Sequence, residues 1–301
     1  MSRAQPDLIF GSPDELDRRT SAWLRASAGV AVLAALLGAL YWSILRDLVV
    51  QWWEDPNYSH GFLVPLFSGF LVWRLRGKLA TLPVRGSWAG LPVLVAGVVA
   101  LLLGDIAAEL FLARSSLIVI IVGLVLFHLG GAWLRALAFP LGFLFFMIPL
   151  PATVFYAIAF PLQQVAAQNA VWILDLIGVP VLRDGNVIHL SQITLGVTEA
   201  CSGIRSLMSL LTLAVAWGYL TLGGPWAIAA LAVSAVPITI VANAGRVVTT
   251  GLVAQWLGPW YAQGFFHSFS GWLIFVFAIA SLFAIHALVQ ACRRAWNRRR
   301  A

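Results

Sequence analysis

The chain has 301 residues, of which 61% are hydrophobic and only 10% are charged. Soluble domains contain about 45–50% apolar and about 25% charged residues, so this composition excludes a soluble globular fold and indicates a membrane protein. The formal net charge is +7. The basic residues lie in short clusters beside apolar segments, which is typical of topology determinants and not of a nucleic-acid-binding surface.

Apolar segments recur along the whole chain, and they are close to the roughly 20 residues that a helix needs to cross a bilayer. They predict an all-α integral membrane protein with about eight transmembrane helices in a single membrane domain, residues 1–301. The predicted spans are residues 23–45, 60–73, 88–104, 115–129, 132–149, 203–222, 225–244 and 270–290.

The Lys and Arg residues predict which ends of these helices face the cytoplasm. One side of the predicted fold carries Arg3, Arg18, Arg19, Arg25, Arg74, Arg76, Lys78, Arg85, Arg135, Arg293, Arg294, Arg298, Arg299 and Arg300. The other side holds Arg46, Arg114, Arg183, Arg205 and Arg246, together with most of the acidic residues. Under the positive-inside rule, the tails 1–20 and 291–301 are therefore cytoplasmic.

Residues 153–177 are long enough to span the membrane but contain several polar side chains, namely Gln163, Gln164, Gln168, Asn169 and Asp175. If they spanned it, the Arg-rich C-terminal tail would lie outside, so we predict an amphipathic helix on the outer face or re-entering it. In residues 179–197, the turn sequence from Arg183 to Asn186 lies between apolar pairs and predicts a short outer-face β-hairpin.

The chain has two cysteines, Cys201 and Cys292. Cys201 directly precedes the helix predicted over 203–222, on the outer side, where free amides and the helix dipole favour a thiolate. A lone cysteine is more often a small buried apolar residue, but the polar neighbours Glu199, Ser202 and Arg205 favour a nucleophile. Cys292 is predicted at the opposite membrane face beside Arg293, so it cannot share that site.

Two further segments bring polar groups to the outer side. Asn243 and Arg246 lie at the outer end of the predicted span 225–244, where a guanidinium needs water, a carboxylate or a substrate. His267 leads into the last span from an aromatic run. A snorkelling Arg and a structural His are the alternatives, but Cys201, Arg246 and His267 are all predicted at one surface.

A thiol, an imidazole and a cationic donor form the set that acyl transfer requires, which predicts peptide-bond cleavage or transfer. The main alternative is a polytopic transporter of an envelope or lipid-linked substrate, since broken helices with polar groups also occur along transport pathways. A metalloprotease lacks support because the chain has no His-Glu-x-x-His. A serine protease using Ser268 or Ser270 would lack the Gly-x-Ser-x-Gly pattern.

At these residues the chain resembles the exosortases, bacterial relatives of the archaeosortases. The resemblance covers roughly residues 20–290, and the order and spacing of its motifs make it specific. The motifs are Asp55 to Pro65, Met147 to Pro151, Gly185 to Ile188, Glu199 to Ser206, Asn243 to Arg246, and His267.

The resemblance implies a thiol protease or transpeptidase of the bacterial inner membrane, with its active site on the periplasmic face. Its substrates would be membrane-anchored proteins with a C-terminal PEP-CTERM-type sorting signal, and its role would be linked to exopolysaccharide and envelope assembly. Carried over, Cys201 is the nucleophile, Arg246 the transition-state cation and His267 the proton-transfer residue. Arg205, Glu199, Asn243, His60 and Ser202 are expected to bind substrate or support the site. Membrane lipids are the other expected partners, with no metal, cofactor or nucleic acid.

Overall fold

The computed structural model describes residues 29–191, 193–196, 203–262 and 265–298. Within these ranges, the side chains of residues 259, 262, 265–268, 296 and 297 are not described. The chain divides into two compact units, with the boundary along the sequence between Val49 and Val50. The contacts reported below all lie within the second unit.

Helices make up most of the described chain, as the sequence predicts. They are α1 Gly29–Leu40, α2 Trp42–Glu54, α3 Leu63–Thr81, α4 Gly90–Ile106, α5 Leu110–His128, α6 Gly131–Phe143, α7 Ala152–Leu176, α8 Ile204–Thr221, α9 Pro225–Trp256, α10 Pro259–Ala262 and α11 Phe265–Arg298. Two 3₁₀ turns, Ser59–Phe62 and Leu144–Met147, precede α3 and follow α6. The strands are β1 Val181–Asp184, β2 Val187–Leu190 and β3 Thr194–Gly196.

Among the described helices, α5, α8, α9 and residues Phe269–Ala295 of α11 are long and apolar enough to cross a membrane. Two bent pairs raise the number to six if each pair is one span: α1 with α2, bent by 69°, and α6 with α7, bent by 77°. The sequence-based count of about eight spans is therefore not confirmed, although a multi-pass α-helical membrane protein is.

The differences from the predicted spans have physical causes. Helix α3 extends to Thr81 and so includes Arg74, Arg76 and Lys78, which are too many charges for a membrane core. Helix α4 has 17 residues, at the lower limit of what a bilayer requires. The described part of the predicted span 23–45 is not one straight helix, because the chain bends between α1 and α2.

Helices α4 and α5 pack closely, and glycine makes their close approach possible. A Cβ on Gly104 would lie 2.5 Å from the backbone nitrogen of Ala113, and one on Gly97 would lie 2.6 Å from Ile120 Cγ1. Gly90 meets the backbone of Phe127 in the same way. Small residues at helix interfaces are how membrane helices bring their backbones into contact.

The predicted β-hairpin is confirmed. Strands β1 and β2 pair antiparallel with Asp184 opposite Val187, which leaves Gly185 and Asn186 as a two-residue turn. Gly185 has φ 60°, a left-handed conformation that hairpin turns of this length require. Strand β3 adds to β2, with His189 opposite Thr194, and the sequence analysis did not predict this third strand.

Helix α7 matches the helix predicted over 153–177, and it packs against the sheet. Gln163 Oε1 accepts a hydrogen bond from Asn186 Nδ2 at 3.1 Å. Four of the seven buried residues of α7 are alanines, namely Ala159, Ala166, Ala167 and Ala170. The exposed side instead carries large apolar side chains, Tyr156, Phe160, Trp172 and Leu176. Water disfavours such a surface, so this face suits contact with lipid.

Helix α9 continues about three turns beyond the predicted end at residue 244, to Trp256. The added turns are stabilised by a core in which Val247 and Val248 pack with Ala166, Ala170 and Leu174 of α7 and with β2. A second core joins α8, α9 and α11 through Leu210, Leu231, Ala235 and Leu282. These two cores lie on either side of Asn243 along α9.

Candidate active site

The start of α8 approaches the middle of α9 very closely. Gly203 has φ 78° and directly precedes Ile204, the first residue of α8, and a residue with a Cβ would be strained in this conformation. A Cβ there would also lie 3.0 Å from Thr239 Cγ2 and 3.3 Å from Asn243 Cβ. The turn that enters α8 therefore lies against the polar face of α9 that carries Asn243.

Arg246 lies inside α9, not beyond its end as the sequence predicted. Asn243 and Arg246 are three residues apart, so their side chains share one helix face. Asn243 is 5% exposed, and Arg246 is half-buried. One helix face thus carries a buried amide and, one turn away, a half-buried guanidinium.

The guanidinium of Arg246 lies against α11. A Cβ on Gly271 would be 3.4 Å from Arg246 Nη2 and 3.5 Å from Arg246 Cζ. Gly271 is followed along α11 by Ile274, whose Cδ1 lies 3.9 Å from the Cβ position of Gly245. The structure therefore brings together the start of α8, the Asn243–Arg246 face of α9 and the first turns of α11.

Three of the predicted site residues lie outside the described residues: Glu199, Cys201 and Ser202. The backbone of His267 lies in the first turn of α11, four residues before Gly271, but its side chain is not described. The proposed positions of the thiol and the imidazole stay predictions. The structure shows the positions of Gly203 and Gly271, which are close in sequence to Cys201 and His267.

Arg205 lies in the first turn of α8 and is exposed, unlike Ile204 and Gly203 beside it, which are buried. Its side chain is thus available to solvent or to a ligand at the surface. This differs from Arg246, whose guanidinium packs against a neighbouring helix.

His60 lies in the 3₁₀ turn before α3, and its described contacts are with a different part of the chain. Burial lowers the pKa of the His60 imidazole below 6.5, while the carbonyl groups of Phe146 and Asn57 act in the opposite direction. Its ring centre is 6.4 Å from that of Tyr58. These contacts support the structural or positioning role that the sequence analysis gave to His60.

Near His60 lies a cavity of about 330 Å³ whose wall includes Arg114. Arg114 is 4% exposed, and its Nη1 donates a hydrogen bond to Gln51 Oε1 at 2.6 Å. Asp55 and Glu109 also line the cavity. The sequence analysis placed Arg114 only among the outer-face arginines, and a charged residue in an apolar helix was the signal for such a site.

Another part of the cavity wall is built by the segment that links α6 to α7 and by the start of α7. Tyr58 Oη accepts a hydrogen bond from the backbone nitrogen of Leu150 at 3.3 Å, and burial raises the pKa of that phenol. Trp52 Nε1 donates to the carbonyl oxygen of Met147 at 2.8 Å. The motif residues Met147 to Pro151 thus contact the motif around Tyr58.

A comparison with known protein families matches residues 52–284 to the family described as transmembrane exosortase. The matched range is more than half of the chain and contains all eight residues that the sequence analysis singles out as catalytic or supporting. No curated protein and no solved structure matches the chain.

Proposed function

This chain belongs to the transmembrane exosortase family, and from that premise we propose that it is a membrane cysteine peptidase or transpeptidase. In this proposal it cleaves C-terminal PEP-CTERM-type sorting signals of exported, membrane-anchored proteins at the outer face of the bacterial inner membrane. Its product would serve exopolysaccharide-linked envelope assembly. The reaction uses Cys201 as nucleophile, His267 for proton transfer and Arg246 as the cation.

The observation that carries this proposal is the meeting of three chain segments around Arg246. Gly203 lies against Asn243, and Gly271 lies against the Arg246 guanidinium. Cys201 is two residues before Gly203 in the sequence. His267 is one helical turn before Gly271. The residues proposed as nucleophile and proton carrier are therefore close in sequence to the two glycines that contact Asn243 and Arg246.

The proposed chemistry follows from these groups. The Cys201 thiolate attacks the carbonyl carbon of the scissile peptide bond, and the negative charge passes to the carbonyl oxygen. The Arg246 guanidinium stabilises that oxyanion. His267 in its protonated form gives a proton to the leaving amine as the C–N bond breaks, which leaves a thioester. A water or an acceptor amine or hydroxyl then gives a proton to His267 and attacks the thioester carbonyl carbon. The new C–O or C–N bond forms, the C–S bond breaks, and the product leaves with the Cys201 thiolate restored.

The supporting residues take roles consistent with their places in the chain. Asn243 fits closely beside Gly203 and positions the turn that follows Cys201. Arg205 is exposed, so we assign it to the thiolate or to a carboxylate of the sorting signal at the surface. Glu199 and Ser202 flank the nucleophile in sequence and support it. His60 is assigned to positioning, through its contacts with the Phe146 segment.

The test measures processing of a tagged protein with a C-terminal sorting signal in cells that express the enzyme. Cys201→Ala should abolish the appearance of the shortened product, whereas Cys292→Ser should leave it intact. Both variants are normalised to enzyme level. Processing that persists in Cys201→Ala would overturn the nucleophile assignment and favour a transporter of an envelope or lipid-linked substrate.

The proposed orientation has its own test, because it rests on the distribution of Lys and Arg. A reporter fused after Trp296 should read as cytoplasmic, and one inserted at Asn186 in the hairpin turn should read as periplasmic. The reverse pattern would put the proposed site on the cytoplasmic face and rule out substrates that have already been exported.

A further inference from the structure

A groove of about 550 Å³ lies between the first turn of α9 and the last turns of α11. Its volume falls within the range of about 300–1,000 Å³ that is typical of small-molecule sites. Pro225, Ala227, Leu288 and Val289 form a mainly apolar floor. The groove lies at the opposite end of α9 from the added turns around Val247, so it is separate from the candidate active site.

The groove lies where a membrane surface would be. Helix α9 and residues Phe269–Ala295 of α11 are both candidate membrane spans, and the groove includes residues near one end of each. Trp226 at its edge is 87% exposed, and exposed tryptophan at the end of a span is typical of the membrane–water interface. The apolar floor therefore faces the region occupied by acyl chains and headgroups.

The charged side chain that lines this groove is positive. Arg293 lines it, with Nη2 at 3.9 Å from where a Cβ of Gly224 would stand. Arg294 and Arg298 follow on the same helix, and the sequence contains no Asp or Glu in residues 221–232 or 288–298. Arg294 Nη2 instead donates to Gln290 Oε1 at 3.3 Å along the helix surface. Arg293 is thus the groove's own cation.

We propose that this groove binds an anionic phospholipid, with one acyl chain on the apolar floor and the headgroup phosphate on the Arg293 guanidinium. A guanidinium binds phosphate oxygens through charge-assisted hydrogen bonds, and basic pockets between membrane helices are known sites for acidic lipids. A zwitterionic lipid would bring an ammonium group towards the Arg293 guanidinium. Charge complementarity therefore selects the anionic class.

The first measurement is native mass spectrometry of the purified full chain with phosphatidylglycerol or with phosphatidylcholine of the same acyl chains. The wild-type protein should retain one phosphatidylglycerol in preference to phosphatidylcholine. Arg293→Gln should weaken that retention by about fivefold, the effect of one basic residue near an anionic lipid. Arg294→Gln removes the same charge outside the groove and should retain the lipid.

The second measurement uses Cys292, which is exposed and lines the groove. In a Cys201→Ser background, phosphatidylglycerol bilayers should slow maleimide labelling of Cys292 relative to phosphatidylcholine. Arg294→Gln should keep this slowing and Arg293→Gln should lose it. Equal weakening of lipid retention by both substitutions would overturn the proposal, and so would equal labelling of Cys292 in both lipids. A dimer of the chain in the mass spectra, with Cys292 protected in both lipids, would also overturn it. Neither readout depends on substrate cleavage.

Discussion

Glycine brings chain segments together in two regions of this protein, with different consequences. Between α4 and α5, the space that a Cβ on Gly90 or Gly104 would need is occupied by backbone of the facing helix. Around Arg246, the space beside Gly203 and Gly271 is occupied by the side chains of Thr239, Asn243 and Arg246. Backbone cannot yield without separating the helices, whereas a side chain can move. The first region therefore determines whether the fold forms, and the second determines where polar groups point.

The largest expected effect tests the second region directly. Arg246→Ala should lower processing by on the order of a hundredfold to a thousandfold, the usual result of losing one oxyanion donor, without loss of folded protein. Arg246→Lys should restore little, because an ammonium does not reproduce the planar guanidinium. The measurement is precursor and product on one blot, normalised to enzyme level.

Arg205 provides the matched control for that substitution. It is also an arginine, it lies two residues after Gly203, and unlike Arg246 it is exposed. Arg205→Ala should leave partial processing that improves when the substrate is overproduced. An inactive Arg205 variant beside an active Arg246 variant would reverse the two assignments.

The α4–α5 pair should respond in stability and not in chemistry. Gly90→Ala forces a methyl group into the backbone of Phe127, and such overpacking typically costs about 1–3 kcal/mol. We expect a lower thermal midpoint of the purified protein and less folded enzyme in cells. Gly69→Ala in α3, where nothing lies within 4 Å, should leave the midpoint unchanged or slightly higher. Equal thermal midpoints for the two variants would contradict the proposed effect of the α4–α5 contact on stability.

A smaller effect should follow from crowding the Arg246 guanidinium without removing it. A methyl group at Gly271 would stand 3.4 Å from Nη2, at the boundary between crowding and ordinary van der Waals contact, so we expect the guanidinium to shift by at most a few tenths of an ångström. Since a misplacement of about 1 Å can cost about a hundredfold in rate, Gly271→Ala should lower processing by about tenfold or less. The thermal midpoint should not change.

Gly245→Ala is the control for Gly271→Ala. It adds a methyl group directly beside Arg246 in sequence, but the new group would meet only Ile274 Cδ1 at 3.9 Å. Processing by this variant should stay near the wild-type rate. A comparable loss of processing in both variants would mean that any change near Arg246 is harmful. The contact between Gly271 and the Arg246 guanidinium would then not explain the effect of Gly271→Ala.

The smallest expected effect concerns pH and the segment around His60. Burial lowers the pKa of His60 in the folded protein below 6.5, so the unfolded chain takes up a proton first as the pH falls. The contribution of the neutral, buried His60 to stability is therefore fully present above pH 6.5. It decreases below that pH, until the folded-state pKa is reached. Thermal midpoints at pH 7.5 and 5.5 should differ less in His60→Gln than in the wild type. His189→Gln, at an exposed position, should keep the wild-type difference.

Local signals in the sequence predicted part of this fold well. The Gly185-Asn186 turn and helix α7 both lie where the sequence placed them, because turn geometry and helical length depend on neighbouring residues. The end of α9 was wrong: Asn243 and Arg246 interrupt the apolar pattern and were interpreted as the end of a helix. Packing of Val247 and Val248 against α7 and β2 keeps the chain helical there, and such a distant contact leaves no local signal.

The same limit applies to the site. Sequence motifs identified Arg246 and Asn243, but the positions of Gly203 and Gly271 beside them depend on how three separate helices pack. The buried Arg114 cavity was likewise missed, since its walls come from α2, α5 and the segment before α7. Residue types predict the chemistry that a chain can perform, whereas spatial neighbours follow from packing between distant segments.

The extension of α9 also has a consequence for hydrogen exchange. Val247 and Val248 share a core with Ile188 and Leu190 of the hairpin, and Gly251 leaves room for Leu174 and Leu190 beside it. The helical turns that carry these residues therefore cannot open without loosening the sheet, and the two form one cooperative unit of local unfolding. Backbone amides of residues 247–252 and 187–190 should lose protection together at one free energy, so whatever orders the hairpin also holds the turn that presents Arg246.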